Sequence, residues 1–256
     1  MTYVKDIYSF LNELFPVNTQ ESFDNCGHLI GSSNKAVKKV LLSLDATSEV
    51  IREAENKNVD LIITHHPIIF GSFKQVIPEN STGKKIIQLS KDAIAVISMH
   101  TNLDKAINGV NDVLVKTLGA ESFEQYDENP YIRIGYLKSP MNIEEYLRFC
   151  KNALKTKGLR YYNSGKDVYK IACVGGAGDS DIYDAINLGC DTFITSDIKY
   201  HIFLDAKEYG INLIDGDHFC TENPVLFKIK DVLENSFRDV KFLISKEHSQ
   251  TANFYV

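Results

Sequence analysis

An internal repeat limits the folds that this chain can adopt. When the sequence is shifted against itself by 131 residues, Lys39–Thr64 aligns with Lys170–Thr195 without a gap, and six of the 26 positions are identical. Each copy has a short β-branched run, a segment with apolar residues three and four apart, and a second short run. A strand–helix–strand unit that occurs twice predicts an α/β fold built from two related lobes.

The same alternation of strand and helix patterns extends along the chain. Strands are predicted at Val40–Leu44, Leu61–Thr64, Ala93–Ser98, Ile171–Val174, Thr192–Thr195 and Ile211–Ile214. Helical spacing lies between them, as at Ser48–Asn58 and Ser180–Leu188. We expect a first α/β lobe at residues 1–125 and a second at 126–256. The segment from about Glu121 to Val168, which contains two X-Pro breaks, is expected to form the link and the start of the second lobe. We expect residues 211–256 to contribute His218 and Glu222 to a shared cleft. Whether this segment also packs on the first lobe stays open at this point.

Composition excludes several classes of protein. The chain has 28 Lys+Arg against 34 Asp+Glu, a net charge of −6 and only five arginines, which argues against nucleic acid as a partner. No apolar run approaches the roughly 20 residues of a membrane span. The five cysteines form no CxxC pair, which indicates reduced thiols. With an amphipathic N-terminus in place of a signal peptide, we expect a cytoplasmic protein that does not cross a membrane.

Five of the seven histidines follow predicted strands. They are His65, His66, His100, His201 and His218. In each half of the chain, one of these histidines precedes a carboxylate by four residues, as His100 precedes Asp104 and His218 precedes Glu222. Parallel α/β sheets place their ligand sites at the carboxyl ends of the strands, so these side chains are candidates for one site.

The residue types of this cluster suit metal ions, because imidazole nitrogens and carboxylate oxygens bind zinc, manganese and iron. The candidate ligands are His65, His66, Asp104, His218 and Glu222. Such a set could hold two ions about 3.5–4 Å apart, the spacing that activates water. Taken singly, each residue also has a structural interpretation. The histidine pair could belong to a hydrogen-bonded turn, Asp104 could cap a helix, and Glu222 could lie in the first turn of a helix, where the helix dipole favours a negative charge. Their joint occurrence in related halves favours metal binding.

Three further motifs have structural interpretations that compete with functional ones. Val174–Gly178 favours a tight strand-to-helix turn over a phosphate-binding loop, because the spacing of a nucleotide motif is missing. Cys26 lies in a segment that favours a turn over a reactive thiol. His201 has two interpretations that the sequence leaves open. It is either a surface histidine or a group that supplies a proton or contacts substrate.

Five motifs, in this order, resemble those of the Nif-three-like dinuclear metal centre family, also called GTP cyclohydrolase I type 2 homologues. They are Glu21–Gly27, Thr64–Pro67, Met99–Asp104, Ile194–His201 and Asp217–Glu222. The resemblance spans about Ser9 to Leu226 and matches the short form of the family. It implies two α/β lobes with a metal cleft between them, a ring-shaped homohexamer, the five ligands above, and His100 and His201 lining the cleft.

Three departures from the family's pattern lie beside these ligands. Phe23 stands where the family usually has Trp, Ser196-Asp197 replaces Gly-Glu, and Asp217 replaces Gly. The ligand types are all kept, so these departures concern the shape of the pocket and the substrate that it takes.

The resemblance and the candidate ligands together favour a metal-dependent hydrolase. We expect two divalent ions, of zinc, iron or manganese, acting on a nucleotide-like or other small polar substrate, with His201 or His100 delivering a proton. The alternative is a non-enzymatic metal-binding scaffold or metal carrier that acts through a partner protein.

Overall fold

The structure is a computed structural model that describes residues 1–255. The chain forms two compact units, of which the first contains Met1–Leu103 and Leu226–Ser249. The second contains Asp104–Val225 and the segment from Gln250 onwards. Over the described residues, every helix is too short or too polar to span a membrane.

The first unit is built around a five-stranded sheet with the order β13-β4-β5-β6-β2. Its strands are β1 (Thr2–Tyr3), β2 (Gly27–Ile30), β3 (Ala36–Val37), β4 (Lys39–Ser43), β5 (Leu61–Thr64), β6 (Ala95–Ser98) and β13 (Lys241–Ile244). Its helices are α1 (Val4–Leu14), α2 (Ser48–Asn56) and α3 (Ser81–Lys91), with a 3-10 turn at Val17–Thr19. Strands β13, β4, β5 and β6 run parallel, whereas β2 is an antiparallel edge and β1 pairs with β3.

The second unit contains a six-stranded sheet with the order β7-β8-β10-β11-β12-β9. Its strands are β7 (Ser122–Tyr126), β8 (Asn129–Met141), β9 (Arg160–Tyr162), β10 (Val168–Ala177), β11 (Thr192–Ser196) and β12 (Asn212–Asp215). Its helices are α5 (Val110–Thr117), α6 (Ile143–Leu154), α7 (Ile182–Asn187), α8 (Tyr200–Tyr209) and α9 (His218–Glu222), with a 3-10 turn at Asp179–Asp181. Two of the three unit boundaries fall within helices, namely α4 (Thr101–Lys105) and α10 (Pro224–Ser236).

The central parallel strands are apolar on both faces because helices cover both sides of such sheets. Every residue of β5 and of β6 is buried, and Leu61, Ile62 and Val96 are 0% exposed. The helix α2 begins where Thr47 accepts a hydrogen bond from the Val50 amide at 3.2 Å. The α/β prediction is confirmed, and a strand of the structure overlaps each of the six predicted strands.

The repeat corresponds to the same hydrogen-bonding scheme in both sheets. Asp60 accepts from the amides of Lys38 and Lys39 at 2.8 and 3.1 Å, and Asp191 accepts from those of Tyr169 and Lys170 at 3.0 and 2.6 Å. The ammonium groups of Lys39 and Lys170 donate to carbonyls at the ends of α2 and α7, which lack partners within their helices. The identities at Lys39/Lys170 and Asp60/Asp191 therefore hold each strand–helix–strand unit together.

The segment predicted to form the link and the start of the second lobe contributes two strands to the second sheet. Residues 122–141 form the antiparallel pair β7 and β8, and β8 continues onto β10. Asn129-Pro130 and Ser139-Pro140 suggested breaks, but both prolines lie near the ends of β8, where a missing amide is tolerated. The compact units also divide the chain at residues 103 and 104, whereas the sequence placed the boundary at 125 and 126.

Candidate metal centre

The adjacent histidines His65 and His66 directly follow β5, where the backbone still pairs with the strand beside it. The His65 amide donates to the Ser43 carbonyl at 3.3 Å, and the His66 amide donates to Leu44 at 2.9 Å. Thr64 adds a hydroxyl bond to the His66 carbonyl at 2.9 Å. The two imidazoles are therefore carried on backbone that the sheet holds in place.

Hydrogen bonds to oxygen fix the orientation of both rings. His65 is 1% exposed, and its Nδ1 donates to the Met99 carbonyl at 2.8 Å. The Nδ1 of His66 donates to Asp45 Oδ1 at 2.9 Å. A carbonyl oxygen can only accept, so the proton of neutral His65 lies on Nδ1 and the lone pair lies on Nε2. This is the arrangement by which oxygen partners orient metal-binding histidines.

His100 follows β6 and has an acidic partner of its own. Its Nδ1 lies 2.9 Å from Asp24 Oδ1, and the Thr101 amide donates to Asp24 Oδ2 at 3.0 Å. Burial raises the pKa of Asp24, but hydrogen bonds from His100, Thr101 and Cys26 outweigh it and hold the pKa well below 3.8. Burial, followed by the Asp24 contact, raises the pKa of Cys26 to about 12. Cys26 is thus a protonated thiol, which agrees with its interpretation as a loop residue.

The three histidines of the first unit converge. Their ring centroids lie 4.9 Å apart for His65 and His66, 5.1 Å for His65 and His100, and 5.5 Å for His66 and His100. One ring nitrogen of each lies within 4.8 Å of one from the other two. The Nε2 lone pairs of His65 and His66 suit a zinc, iron or manganese ion, and His100 lies beside them as the predicted cleft-lining residue. We call this group the histidine triad; it adds His100 to the predicted histidine pair.

In the second unit, His218 and Glu222 lie on the same face of α9. His218 Nε2 is 3.2 Å from Glu222 Oε1, and its Nδ1 is 2.7 Å from Asp197 Oδ2. Burial lowers the pKa of His218, but the hydrogen bonds and charges of Glu222 and Asp197 outweigh it and raise the pKa to about 9. The four-residue spacing predicted this shared face, and the helix confirms it.

The third predicted ligand of this unit, Asp104, lies in α4 and is 9% exposed. Its backbone carbonyl accepts from Asn111 Nδ2 at 3.1 Å. Asn111 Oδ1 accepts in turn from the Gly175 amide at 2.7 Å. A side chain that bridges two backbone groups therefore ties the Asp104 segment to β10.

The glycine-rich motif at the end of β10 has a role that its sequence did not show. Gly176 has φ +66°, and a Cβ there would lie 2.3 Å from Glu222 Oε1 and 3.3 Å from His218 Nε2. Its amide donates to Thr221 Oγ1 at 3.1 Å, and its carbonyl accepts from Ser196 Oγ at 2.8 Å. Gly176 is therefore where the backbone closely approaches the side chains of His218 and Glu222, which only a glycine permits. The sequence had indicated only a turn for this motif.

Two of the departures noted in the sequence also have unusual backbone conformations. Asp197 has φ 54° and Asp217 has φ 73°, both in the left-handed region that favours glycine. Asp217 nevertheless caps α9 by accepting from the Cys220 amide at 3.1 Å, and Asp197 binds His218. Each aspartate therefore offsets a strained conformation with a hydrogen bond at the candidate site.

His201, the other predicted proton donor, is exposed at the second residue of α8. Over the part of the chain that the structure describes, its side chain forms no hydrogen bond. Sequence reasoning also missed Asp24 and Asp45, which orient His100 and His66. Asp45 lies just after β4, at the same edge of the sheet as the histidines, and that position was the available signal.

Comparison with known proteins gives consistent matches over almost the whole chain. The family model described as Duf34/NIF3 (NGG1p interacting factor 3) matches residues 2–251. A Clostridium perfringens protein named GTP cyclohydrolase 1 type 2 homolog is 39% identical, over 98% of this chain and 99% of that protein. The solved structure of the Staphylococcus aureus hypothetical protein SA1388 has a TM-score of 0.92 and 28% identity, over 99% of both chains. Reduced HcgD from Methanocaldococcus jannaschii has a TM-score of 0.84 and 29% identity, over 96% of this chain and 98% of that chain.

Proposed function

This chain belongs to the Duf34/NIF3 family, and from that premise we propose that it is a dinuclear-metal-dependent hydrolase of a nucleotide-like or other small polar substrate. The observation that carries the proposal is the histidine triad, in which each ring is held through Nδ1 by an oxygen atom. Such rings present nitrogen lone pairs at fixed positions without a further cost of ordering. The name of the Clostridium perfringens relative points to the same class of reaction.

The proposed ligands are the five that the sequence predicts. They are His65, His66, Asp104, His218 and Glu222. Five donors exceed what one open catalytic ion needs and suit two ions of zinc, iron or manganese. When bound, two divalent ions supply Lewis acidity and lower the pKa of water towards neutrality, which is the chemistry that hydrolysis requires.

We assign the movement of a proton to His100. Its Nδ1 is held by Asp24, whose lowered pKa keeps it a carboxylate, so Nε2 is the atom that can accept or release a proton. The carboxylate also stabilises the protonated ring, as in other histidine–aspartate pairs. His201 remains the alternative proton donor predicted from the sequence.

A cavity in the second unit supports a small polar substrate. It has a volume of about 340 Å³ and borders His218, and its wall includes Arg160, Asp197, Asp215 and Asp217. This volume lies at the lower end of the range for small-molecule sites, roughly 300–1,000 Å³. The charged wall suits a substrate that offers several hydrogen-bonding groups.

Turnover by metal-loaded protein tests the proposal. Wild type would be loaded separately with zinc, manganese and iron and assayed against nucleotides, phosphoesters and cyclic and linear amides. We expect hydrolysis of at least one class, lost in His66→Ala and lowered ~10²- to 10⁴-fold in kcat in His100→Ala. His28→Ala is the control, because His28 lies on β2 and its Nε2 bonds the nearby Ile30 carbonyl, at 2.9 Å.

Full metal content with no turnover of any class would contradict the hydrolase. The rate of metal release to a chelator then tests the carrier alternative. A carrier releases its metal readily, whereas a catalyst retains it.

A further inference from the structure

A fully buried arginine holds the chain that follows Asp104. Arg133, on β8, is 0% exposed. Its Nη2 donates to the carbonyls of Lys105 at 3.1 Å and Ala106 at 3.2 Å. Its Nη1 donates to the Pro130 carbonyl at 2.7 Å. Burying a cation is costly unless its donors are hydrogen-bonded, and these bonds offset that cost. They also hold two separate segments of backbone against the guanidinium group.

The counter-ion of Arg133, Asp112, lies in the first turn of α5, a few residues further along the chain. Asp112 accepts from Arg133 Nε through Oδ1, and through Oδ2 from the Asn108 amide at 2.7 Å. Asn108 has φ 60°, so this bond stabilises a left-handed residue within the turn. The segment from the end of α4 to the first turn of α5, residues 105–112, is thus folded around the guanidinium group.

The backbone at Asp104 is held from two directions. Asn111, itself 0% exposed, binds the Asp104 carbonyl, while Arg133 binds the next two carbonyls along the chain. The helix α4 has only five residues, too few to fix a side chain by its own hydrogen bonds. The backbone that carries the Asp104 carboxylate is therefore held by these neighbours.

We propose that Arg133 is a positioning residue that holds Asp104 in place for metal binding. The inference rests on the metal centre of the proposed function. Lysine at position 133 keeps the charge but lacks the planar fork, so it cannot bind Asp112 and the carbonyls of residues 105 and 106 together. Loss of such a partner of a metal ligand lowers metal affinity by ~10- to 100-fold.

Cobalt(II) titration followed by its visible absorption tests the inference without any assay of activity. The variants are Arg133→Lys, Asp104→Asn as the reference for a lost ligand, and Tyr146→Phe as the control. Tyr146 is also 0% exposed and donates its hydroxyl proton to the Leu118 carbonyl at 3.0 Å, away from the Asp104 segment. Urea unfolding of each metal-free variant separates lost stability from lost affinity.

We expect Arg133→Lys to weaken cobalt binding ~10- to 100-fold and to change its spectrum in the same direction as Asp104→Asn, while Tyr146→Phe keeps both. If Arg133→Lys does not fold, Asp112→Asn replaces it with the same expectation. Wild-type affinity and spectrum in the folded Arg133 or Asp112 variant, with altered binding in Asp104→Asn, would overturn this inference alone. A wild type that binds no cobalt would overturn the proposed function with it.

Discussion

Replacing Gly176 by alanine is expected to move Glu222 away from the position proposed for metal binding. The new Cβ would lie 2.3 Å from Glu222 Oε1, whereas ordinary contact begins at 3.4 Å, so the carboxylate must move by about 1 Å. The backbone of residue 176 cannot retreat easily, because Thr221 and Ser196 bind its amide and carbonyl. The displaced oxygen would also leave its contact with His218 at 3.2 Å.

Two costs can be separated in this variant. A left-handed conformation costs a residue with a Cβ about 1–2 kcal/mol, which lowers the free energy of unfolding. Gly210 has the same φ of +66°, and a Cβ added there would have no atom within 4 Å, so Gly210→Ala carries the first cost without the steric one. The difference between the two variants isolates the displacement of Glu222.

Zinc affinity by competition with a chromophoric chelator is the assay, with urea unfolding of the metal-free proteins beside it. Gly176→Ala should lose at least as much free energy of unfolding as Gly210→Ala, and it alone should lose zinc affinity, by ~10- to 100-fold. Equal zinc affinity in Gly176→Ala and wild type would refute the argument that this glycine makes room for a ligand.

Three further results are expected. Glu53, on α2, is 7% exposed, and although burial raises its pKa, hydrogen bonds from Lys57 and Ser245 outweigh burial and lower the pKa from 4.5 to about 2. A lowered folded-state pKa stabilises the fold above pH 4.5, and this stability is lost as the pH falls towards 2. Glu53→Gln should therefore lower the free energy of urea unfolding by about 2–3 kcal/mol at pH 7 and by little at pH 2. Glu49→Gln, at an exposed position, is the control. Equal losses of unfolding free energy at both pH values would contradict the assignment. Chelation should lower the melting temperature and speed hydrogen exchange at residues 211–226, because bound metal at a hundredfold excess over Kd adds about 2.7 kcal/mol; unchanged exchange there would separate His218 and Glu222 from the metal. Light scattering should give a homohexamer, as the family resemblance implies, and a mass near 28.9 kDa would exclude it.

The sequence predicted the parallel strands because their signal is local. Strands such as β5 and β6 are buried on both faces, so their composition alone identifies them. The placement of His65, His66 and His218 followed from the rule that ligand sites lie at strand ends. The hairpin of β7 and β8 was missed because proline was given more weight than its position near a strand end warrants.

The support around the candidate ligands could not be predicted, because it depends on contacts between distant residues. Asp24 binds His100 across 76 positions of sequence, and no periodic pattern records such a pair. Arg133 stands between Ile132 and Ile134, where strand alternation predicts a solvent-facing side chain. The side chain is nevertheless fully buried and hydrogen-bonded to Asp112. Gly176 differs from a turn glycine only through the position of Glu222, a residue 46 positions later.

Metal stoichiometry tests the central claim most directly. Wild-type protein loaded with zinc and dialysed should retain two ions per chain by plasma mass spectrometry, since the proposed donors suit two ions. His66→Ala and Glu222→Ala should each retain one ion or fewer, with His28→Ala unchanged. Wild type with less than one ion per chain, or two ions retained in both ligand variants, would contradict the dinuclear centre.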